Sequence, residues 1–215
     1  MTTLGTRRNR RVGIYGGSFD PIHVGHMSVA SEVMRTYNLD AVVFVPAQQS
    51  PLKPAPAASA SDRVAMVRIA VSGIAWAEVS TLEVDRSPPS YTVETVRALS
   101  HEHREAELFL VVGADVLAEF GQWREPEGIL GLATLVAVGR PGAELMVPAA
   151  LEALAETYPG RVQLCPSPTP SISSRAIREM ILRGEAPDAH VTTGVARYIE
   201  QRCLYRGGRA TSVSE

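Results

Sequence analysis

Short apolar runs alternate along the chain with longer segments in which apolar residues recur at helical spacing. Four compact runs, rich in β-branched residues, have the pattern of strands buried on both faces of a parallel sheet. These runs are residues 12–15, 41–45, 108–112 and 132–138. Residues 79–85 alternate apolar and polar positions, which predicts a fifth strand with one wetter face.

Helical spacing occurs between and after these runs. The predicted helices are residues 24–37, 61–71, 92–101, 151–158, 173–183 and 193–202. Repeated strand–helix alternation favours an α/β fold with a doubly wound parallel sheet. The last two helices are expected to form a small C-terminal helical part of the same domain.

The chain of 215 residues fits one domain, which we place at residues 12–205 with its helical part at about 173–205. Residues 1–11 carry four arginines and predict a basic, disordered tail, and residues 206–215 predict a second tail. Residues 46–61 carry four prolines and predict a long loop that covers a ligand at the carboxyl end of strand 41–45.

Composition and charge exclude several classes of protein. The chain is 45% hydrophobic and has a net charge of −2, so it has no basic field to attract a nucleic acid. Its two cysteines lie far apart and outside any zinc-ligand pattern, which is typical of the reducing cytoplasm. No apolar run approaches the roughly 20 residues needed to span a bilayer, so no membrane association is expected.

The candidate chemistry begins directly after the first strand. Gly16 and Gly17 allow a sharp turn and a close approach of the backbone to a ligand. The next predicted helix starts just beyond them, and its free N–H groups favour a phosphate. His23 and His26 are three residues apart and therefore share one helix face, where both can donate to a single phosphate during its transfer.

This segment resembles the signature of the HxGH nucleotidyltransferase superfamily, here His23-Val24-Gly25-His26. A second motif of that superfamily resembles residues 172–178, which place serines at the start of a predicted helix. The resemblance implies a Rossmann-like nucleotidyltransferase fold that transfers a nucleotidyl group and releases pyrophosphate. It also implies two groups of site residues. The catalytic group is His23, His26, Lys53 and Arg178, and the ATP-binding group is Gly16, Gly17, Ser18, Phe19, Gly25, Ile172, Ser173 and Ser174.

Further stretches are similar to the bacterial nicotinate mononucleotide adenylyltransferases of this superfamily. The resemblance implies that the acceptor is bound by Ser90, Tyr91, Thr92, Gly113, Asp115, Trp123 and Arg140. It implies ATP and nicotinate mononucleotide as substrates, and Mg²⁺ held mainly by ATP phosphates, with Asp20 oriented toward its water shell. The chain departs from that pattern at Leu52, where a histidine is usual, and at Arg175, where a threonine is usual.

Two other functions remain open at this stage. The chain could be a pantetheine-phosphate adenylyltransferase, which shares the first motif, or a regulator that binds nucleotides without turning them over. The pattern says nothing about oligomeric state, and a homo-oligomer is among the alternatives.

Overall fold

The computed structural model describes residues 9–49, 55–139, 146–166 and 172–206, and only the backbone of Ala150. These residues form a parallel sheet of six strands in the order β3-β2-β1-β4-β5-β6. The strands are β1 (Arg11–Gly17), β2 (Ala41–Pro46), β3 (Ala77–Val79), β4 (Glu107–Gly113), β5 (Ala133–Val138) and β6 (Val162–Cys165).

The helices follow the strands in regular alternation. They are α1 (Val24–Thr36), α2 (Ala60–Val71), α3 (Thr92–Glu102), α4 (Pro126–Leu132), α5 (Ala149–Thr157), α6 (Ser174–Leu182) and α7 (Thr193–Gln201), with a 3₁₀ helix at Ala114–Gln122. The six helices predicted from the sequence are confirmed, with ends that differ by one or two residues. Within the described ranges, no helix is long and apolar enough to cross a membrane.

The sheet is covered on both faces, which confirms the doubly wound α/β fold. One apolar cluster joins the sheet to α1, α2, α6 and α7, and the other joins it to α3, α4 and α5. Every residue of β2 and of β5 is buried, as expected of central parallel strands with helices above and below.

The C-terminal helical part is joined to this core by a polar contact with α2. The Asp62 carboxylate accepts hydrogen bonds from the Tyr198 hydroxyl (2.9 Å) and the Arg202 guanidinium (3.1 Å). Helix α7 therefore packs directly on α2 as an integral part of the domain.

The predicted strand at residues 79–85 is wrong. Strand β3 is the three-residue edge strand Ala77–Val79, and the following residues turn back on themselves. Thr81 and Asp85 close this turn, since the Thr81 hydroxyl donates to the Asp85 carboxylate (2.7 Å) and the Asp85 N–H donates to the Thr81 carbonyl (2.9 Å). Within this turn the buried side chain is that of Glu83, and the apolar Leu82 and Val84 are only half-buried, so the alternation does not mark a sheet face.

Other boundaries also differ from the prediction. Leu132 ends α4, and β5 begins one residue later. The pattern missed the 3₁₀ helix, α4 and β6, which are short or have no clear periodicity. The predicted tail extends too far, because Arg11 begins β1 and Arg10 donates to Glu78 (2.7 Å). Residues 1–8 and 207–215 lie outside the described residues.

Close packing of α7 on α2 generates a prediction about stability. A Cβ added at Gly194 in α7 would come within 2.6 Å of Ile69 Cγ2 in α2, whereas one added at Gly131 in α4 would meet no atom within 4 Å. Gly194→Ala should lower the free energy of unfolding by about 1–3 kcal/mol. Gly131→Ala should raise it by about 0.5–1 kcal/mol, because alanine loses less backbone entropy in a helix. Urea unfolding measures both, and changes of the same sign would contradict this packing.

Candidate active site

The candidate site lies where the strand order reverses. Strand β1 is the first in the chain, yet it sits between β2 and β4 in the sheet. Connections that leave neighbouring strands in opposite directions open a crevice at their carboxyl ends, where ligands bind in sheets of this kind. The first motif follows β1 directly, and Gly16 and Gly17 are the last residues of that strand.

The two histidines of the first motif are stacked at the start of α1. His23 is the N-cap of the helix, and its Nδ1 accepts a hydrogen bond from the Gly25 N–H (3.1 Å). His26 Nδ1 accepts in turn from the His23 N–H (3.2 Å), and the two ring centroids are 3.7 Å apart. Gly25 is required here, since a Cβ at this position would lie 2.9 Å from the His23 ring.

These backbone contacts fix the protonation of the rings. A nitrogen that accepts a hydrogen bond carries no proton, so in the neutral form each ring has its proton on Nε2. Burial, with a smaller effect of the His190 charge, lowers the pKa of His23 to about 4, and this ring is therefore neutral at pH 7. The N-terminus of α1 thus holds two neighbouring imidazoles whose Nδ1 atoms face the backbone.

Asp20 joins the first motif to two distant parts of the chain. Its buried carboxylate accepts from the N–H groups of Ala57 (2.7 Å) and Ala58 (3.0 Å) and from the Tyr205 hydroxyl (2.8 Å). Arg178 lies 3.5 Å from the same carboxylate and donates to the Asp20 carbonyl (2.6 Å). Both carboxylate oxygens are therefore engaged by groups of the protein.

Tyr205 keeps its hydroxyl proton in this contact. Burial, and next the charge of the Asp20 carboxylate, strongly raise the pKa of Tyr205. The phenol therefore remains a donor to Asp20 at all physiological pH values. This contact ties the end of the C-terminal helical part to the turn that follows β1.

Arg63 organises the neighbouring loops and was missed in the sequence analysis. Its side chain is 1% exposed, and it donates to the carbonyls of Ser18 (2.7 Å), Ala47 (2.6 Å), Gln48 (3.2 Å) and Ala58 (3.4 Å). The loops after β1 and β2 and the start of α2 are thereby held by one guanidinium. A signal was present in the sequence, because an arginine stands on the buried stripe of a predicted helix.

The second motif lies against the first. Ser173 caps α6 by accepting from the Ala176 N–H (3.2 Å), and the Ser174 hydroxyl donates to the Pro21 carbonyl (2.9 Å). Ile172 packs against the core cluster that includes Phe19 and Ile22. The structure therefore brings the start of α6 to the start of α1, as the two motifs require.

Arg175 is the residue that departs from the second motif. Its side chain is 82% exposed and pairs with Glu179 at 2.8 Å, one turn further along α6. This arginine occupies the solvent face of the helix, so the departure leaves the contacts between the two motifs intact.

A cavity of about 460 Å³ opens beside the first motif, at the ends of β1 and β4. Gly16, Gly17 and Ser18 line one side of it. Most of the predicted acceptor residues line the rest: Ser90, Tyr91, Thr92, Gly113, Asp115 and Trp123. Lys53 and Arg140 lie outside the described residues.

The start of α3 forms one wall of this cavity. Tyr91 is the N-cap of α3 and makes no side-chain cap, and Thr92 is the first helical residue. The Arg124 guanidinium lies 4.6 Å from the centre of the Tyr91 ring and 3.5 Å from Glu94. Arg124 therefore packs on the Tyr91 side of this wall by a cation–π contact.

Trp123 and Glu83 also line the cavity. The Trp123 ring packs on Phe120 with centroids 5.2 Å apart, which fixes its place at the edge of the cavity. Glu83 was missed in the sequence analysis, although it is buried and lines the cavity. The signal that could have found it is an acidic residue between Leu82 and Val84, shortly before the Ser-Tyr-Thr turn.

Comparison with known proteins agrees with this geometry. The family model described as cytidylyltransferase-like matches residues 14–180. A curated relative from Roseiflexus sp. (strain RS-1), named "Probable nicotinate-nucleotide adenylyltransferase", is 41% identical over 91% of this chain and 98% of its own length. A relative of the same name from Streptomyces coelicolor is 42% identical over 89% of this chain and 99% of its own.

Solved structures share the fold. The nicotinic acid mononucleotide adenylyltransferase of Plasmodium falciparum, complexed with NaAD, superposes with a TM-score of 0.73 over 91% of this chain and 97% of its own, at 19% identity. The same protein complexed with APC gives a TM-score of 0.71. The motifs, the fold and the curated relatives agree: the chain belongs to the cytidylyltransferase-like family and, within it, to the nicotinate-nucleotide adenylyltransferases.

Proposed function

We propose that the protein transfers the adenylyl group of ATP to nicotinate mononucleotide, forming nicotinate adenine dinucleotide and pyrophosphate in NAD biosynthesis. One observation carries the proposal. Residues 16–18, which lie at the end of β1 and precede the stacked histidines in the chain, line a cavity that is also lined by the start of α3, which has no side-chain cap. The segment that leads to the proposed phosphate site therefore also lines the proposed acceptor site.

In this mechanism the 5′-phosphate of the acceptor attacks the α-phosphorus of ATP. A new P–O bond forms as the bond to the β-phosphate breaks, and pyrophosphate leaves from the opposite side. The attacking phosphate is already ionised at neutral pH, so the step needs no protein base. The Nε2–H groups of His23 and His26 donate to the α-phosphate as its negative charge builds up, which is electrostatic stabilisation of the transition state.

Positioning of ATP is assigned to the two helix starts. The N–H groups at the start of α1 are engaged within the protein, so this helix contributes the positive end of its dipole, which favours phosphate. The start of α6 contributes its own dipole end. Arg178 adds a cation beside the first motif, and its side chain is 31% exposed and so accessible to a ligand. Lys53 is assigned to the β- and γ-phosphates on the resemblance of the sequence.

Magnesium is proposed to enter with ATP. Within the described ranges, no three His, Cys, Asp or Glu side chains are grouped as a metal site, and Asp20 is engaged by protein donors. The chemistry that fits is Mg²⁺ held by phosphate oxygens and water, where it neutralises phosphate charge. The residues described above then bind and orient the metal–nucleotide complex as a unit.

The acceptor ring is proposed to lie between Trp123 and the start of α3. A carboxylate can accept N–H groups of the first turn on both oxygens, and the helix dipole favours its charge. Stacking on Trp123 binds the ring regardless of its substituent. The solved relative that is complexed with NaAD supports this acceptor.

The proposed catalytic role of the histidines can be separated from their role in capping α1. His23→Asn keeps a side chain that caps α1 well but removes the Nε2–H donor. His23→Asn and His26→Ala should each lower kcat by roughly 10² to 10³, since one oxyanion-type donor is worth about 3–4 kcal/mol. ATP binding should change far less. Pyrophosphate release gives kcat, and titration with ATP gives Kd.

His101→Ala is the matched control for these variants, because His101 is exposed at the end of α3. It should leave kcat and Kd unchanged. A His26→Ala enzyme with nearly normal kcat and a raised KM would show that His26 only binds substrate.

Acceptor choice tests the proposed function itself. Nicotinate mononucleotide should be preferred over nicotinamide mononucleotide by roughly ten- to a thousandfold in kcat/KM, because the amide leaves one donor unpaired and lacks the charge. Addition of pantetheine phosphate as the acceptor should cause no release of pyrophosphate from ATP. Trp123→Ala should reduce kcat/KM for both mononucleotides by a similar factor. Equal use of both mononucleotides by the wild type would contradict the carboxylate argument.

A further inference from the structure

Glu83 is a buried carboxyl group in the wall of the acceptor cavity. Its side chain is engaged by the first turns of α3, where the Thr95 hydroxyl donates to Glu83 Oε1 (2.8 Å). Its main-chain carbonyl accepts from the Ser90 hydroxyl (3.3 Å). Glu83 therefore binds the chain just before Tyr91, through Ser90, and just after Thr92, through Thr95.

This placement brings a titratable group close to the proposed anion site. Thr95 follows Thr92 by three residues, so the hydroxyl that donates to Glu83 belongs to the first turn after the start of α3. Among the described residues, Thr95 is the only one that donates a hydrogen bond to this carboxyl group. An ionised Glu83 would repel an acceptor carboxylate bound to the same helix start.

We propose that Glu83 is a specificity-determining residue for the acceptor, which admits a carboxylate-bearing ring when Glu83 is protonated and favours the uncharged amide when Glu83 is ionised. The inference rests on the proposed function and deepens it. The neutral form places no charge beside the bound carboxylate. The ionised form can accept a hydrogen bond from the NH₂ group of an amide.

The charged groups around Glu83 decide when it ionises. Burial raises the pKa of Glu83, and this effect outweighs the Thr95 hydrogen bond and the Arg86 charge, which lower it. Arg86 lies on the same segment and faces α3, where it donates to the Thr95 hydroxyl (3.4 Å) and approaches Glu94 at 3.9 Å.

The remaining cavity walls carry three further charged residues. Asp115 and Glu119 lie on the 3₁₀ helix, and Arg124 follows it. All three are exposed, so water screens their charges and burial remains the main influence on the pKa of Glu83. The protonated form of Glu83 therefore persists to a higher pH than that of an ordinary glutamate.

The test is the ratio of kcat/KM for nicotinate mononucleotide to that for nicotinamide mononucleotide, measured from pH 5.5 to 9. If the amide turns over too slowly, its Ki as a competitor replaces its kcat/KM. The two acceptors share their phosphate and ribose, so the titrations of ATP, of the acceptor phosphate and of the histidines cancel. In the wild type the ratio should fall by about ten- to a hundredfold as Glu83 ionises.

Variants separate Glu83 from the other acidic groups. Glu83→Gln keeps an oxygen for the Thr95 hydroxyl but cannot ionise, so the ratio should become independent of pH and exceed that of the wild type at pH 9. Thr95→Val removes a donor that favours the ionised form, so the fall should move to higher pH. Glu119→Gln removes an exposed carboxylate from the same cavity and should keep the wild-type profile, since water screens that charge.

The outcomes distinguish this inference from the proposed function. A flat wild-type ratio, or a Glu83→Gln ratio that still falls with pH, would overturn the role of Glu83 while leaving the adenylyl transfer intact. Failure of the wild type to use either mononucleotide would overturn both. If Glu83→Gln does not fold, as judged by its melting midpoint, an unshifted profile in Thr95→Val overturns the inference.

Discussion

The buried carboxylate of Asp20 is the contact on which the geometry of the site depends. It holds the turn after β1 against residues 57–58, against Arg178 of the second motif and against Tyr205 at the end of the chain's last helical part. These segments are far apart in sequence, and the contact brings them together beside the first motif. Removal of one partner from a buried charged contact typically costs about 3–5 kcal/mol, because the remaining charge stays buried. Arg63 extends the same cluster to the loop after β2.

This cluster fixes the backbone of the proposed phosphate site by contacts within the protein. Asp20 and Arg63 are satisfied internally. The groups proposed to bind ATP include the two imidazoles, the helix dipoles and the partly exposed Arg178. The backbone contacts to Nδ1 of His23 and His26 orient the two rings. The proposed acceptor site is separate, at the start of α3.

The sequence was sufficient for six of the helices, for the doubly wound architecture and for two histidines on one helix face, because each depends on local periodicity or on fixed spacing. It misled at residues 79–85, where the alternation belongs to a turn whose buried residue is the polar Glu83. Arg63 and Glu83 were not identified from the sequence because their hydrogen-bond partners are brought near only by the fold. The hydrogen bond to Asp20 could likewise not be predicted, since its donor, Tyr205, lies 185 positions away. Residues 50–54 and 140–145, which include Lys53 and Arg140, lie outside the described ranges, so their assignments stay predictions.

The stereochemical course at the α-phosphorus tests the central claim most directly. In the neutral form of each ring, Nε2 carries the proton and the Nδ1 lone pair accepts a backbone hydrogen bond, so neither nitrogen is placed to attack phosphorus. ATP with sulfur of known configuration at the α-phosphorus should therefore give a dinucleotide of inverted configuration, as a single in-line displacement requires. Retention would reveal two displacements through a covalent adenylyl-enzyme, and it would contradict the assignment of His23 and His26 as hydrogen-bond donors to the α-phosphate.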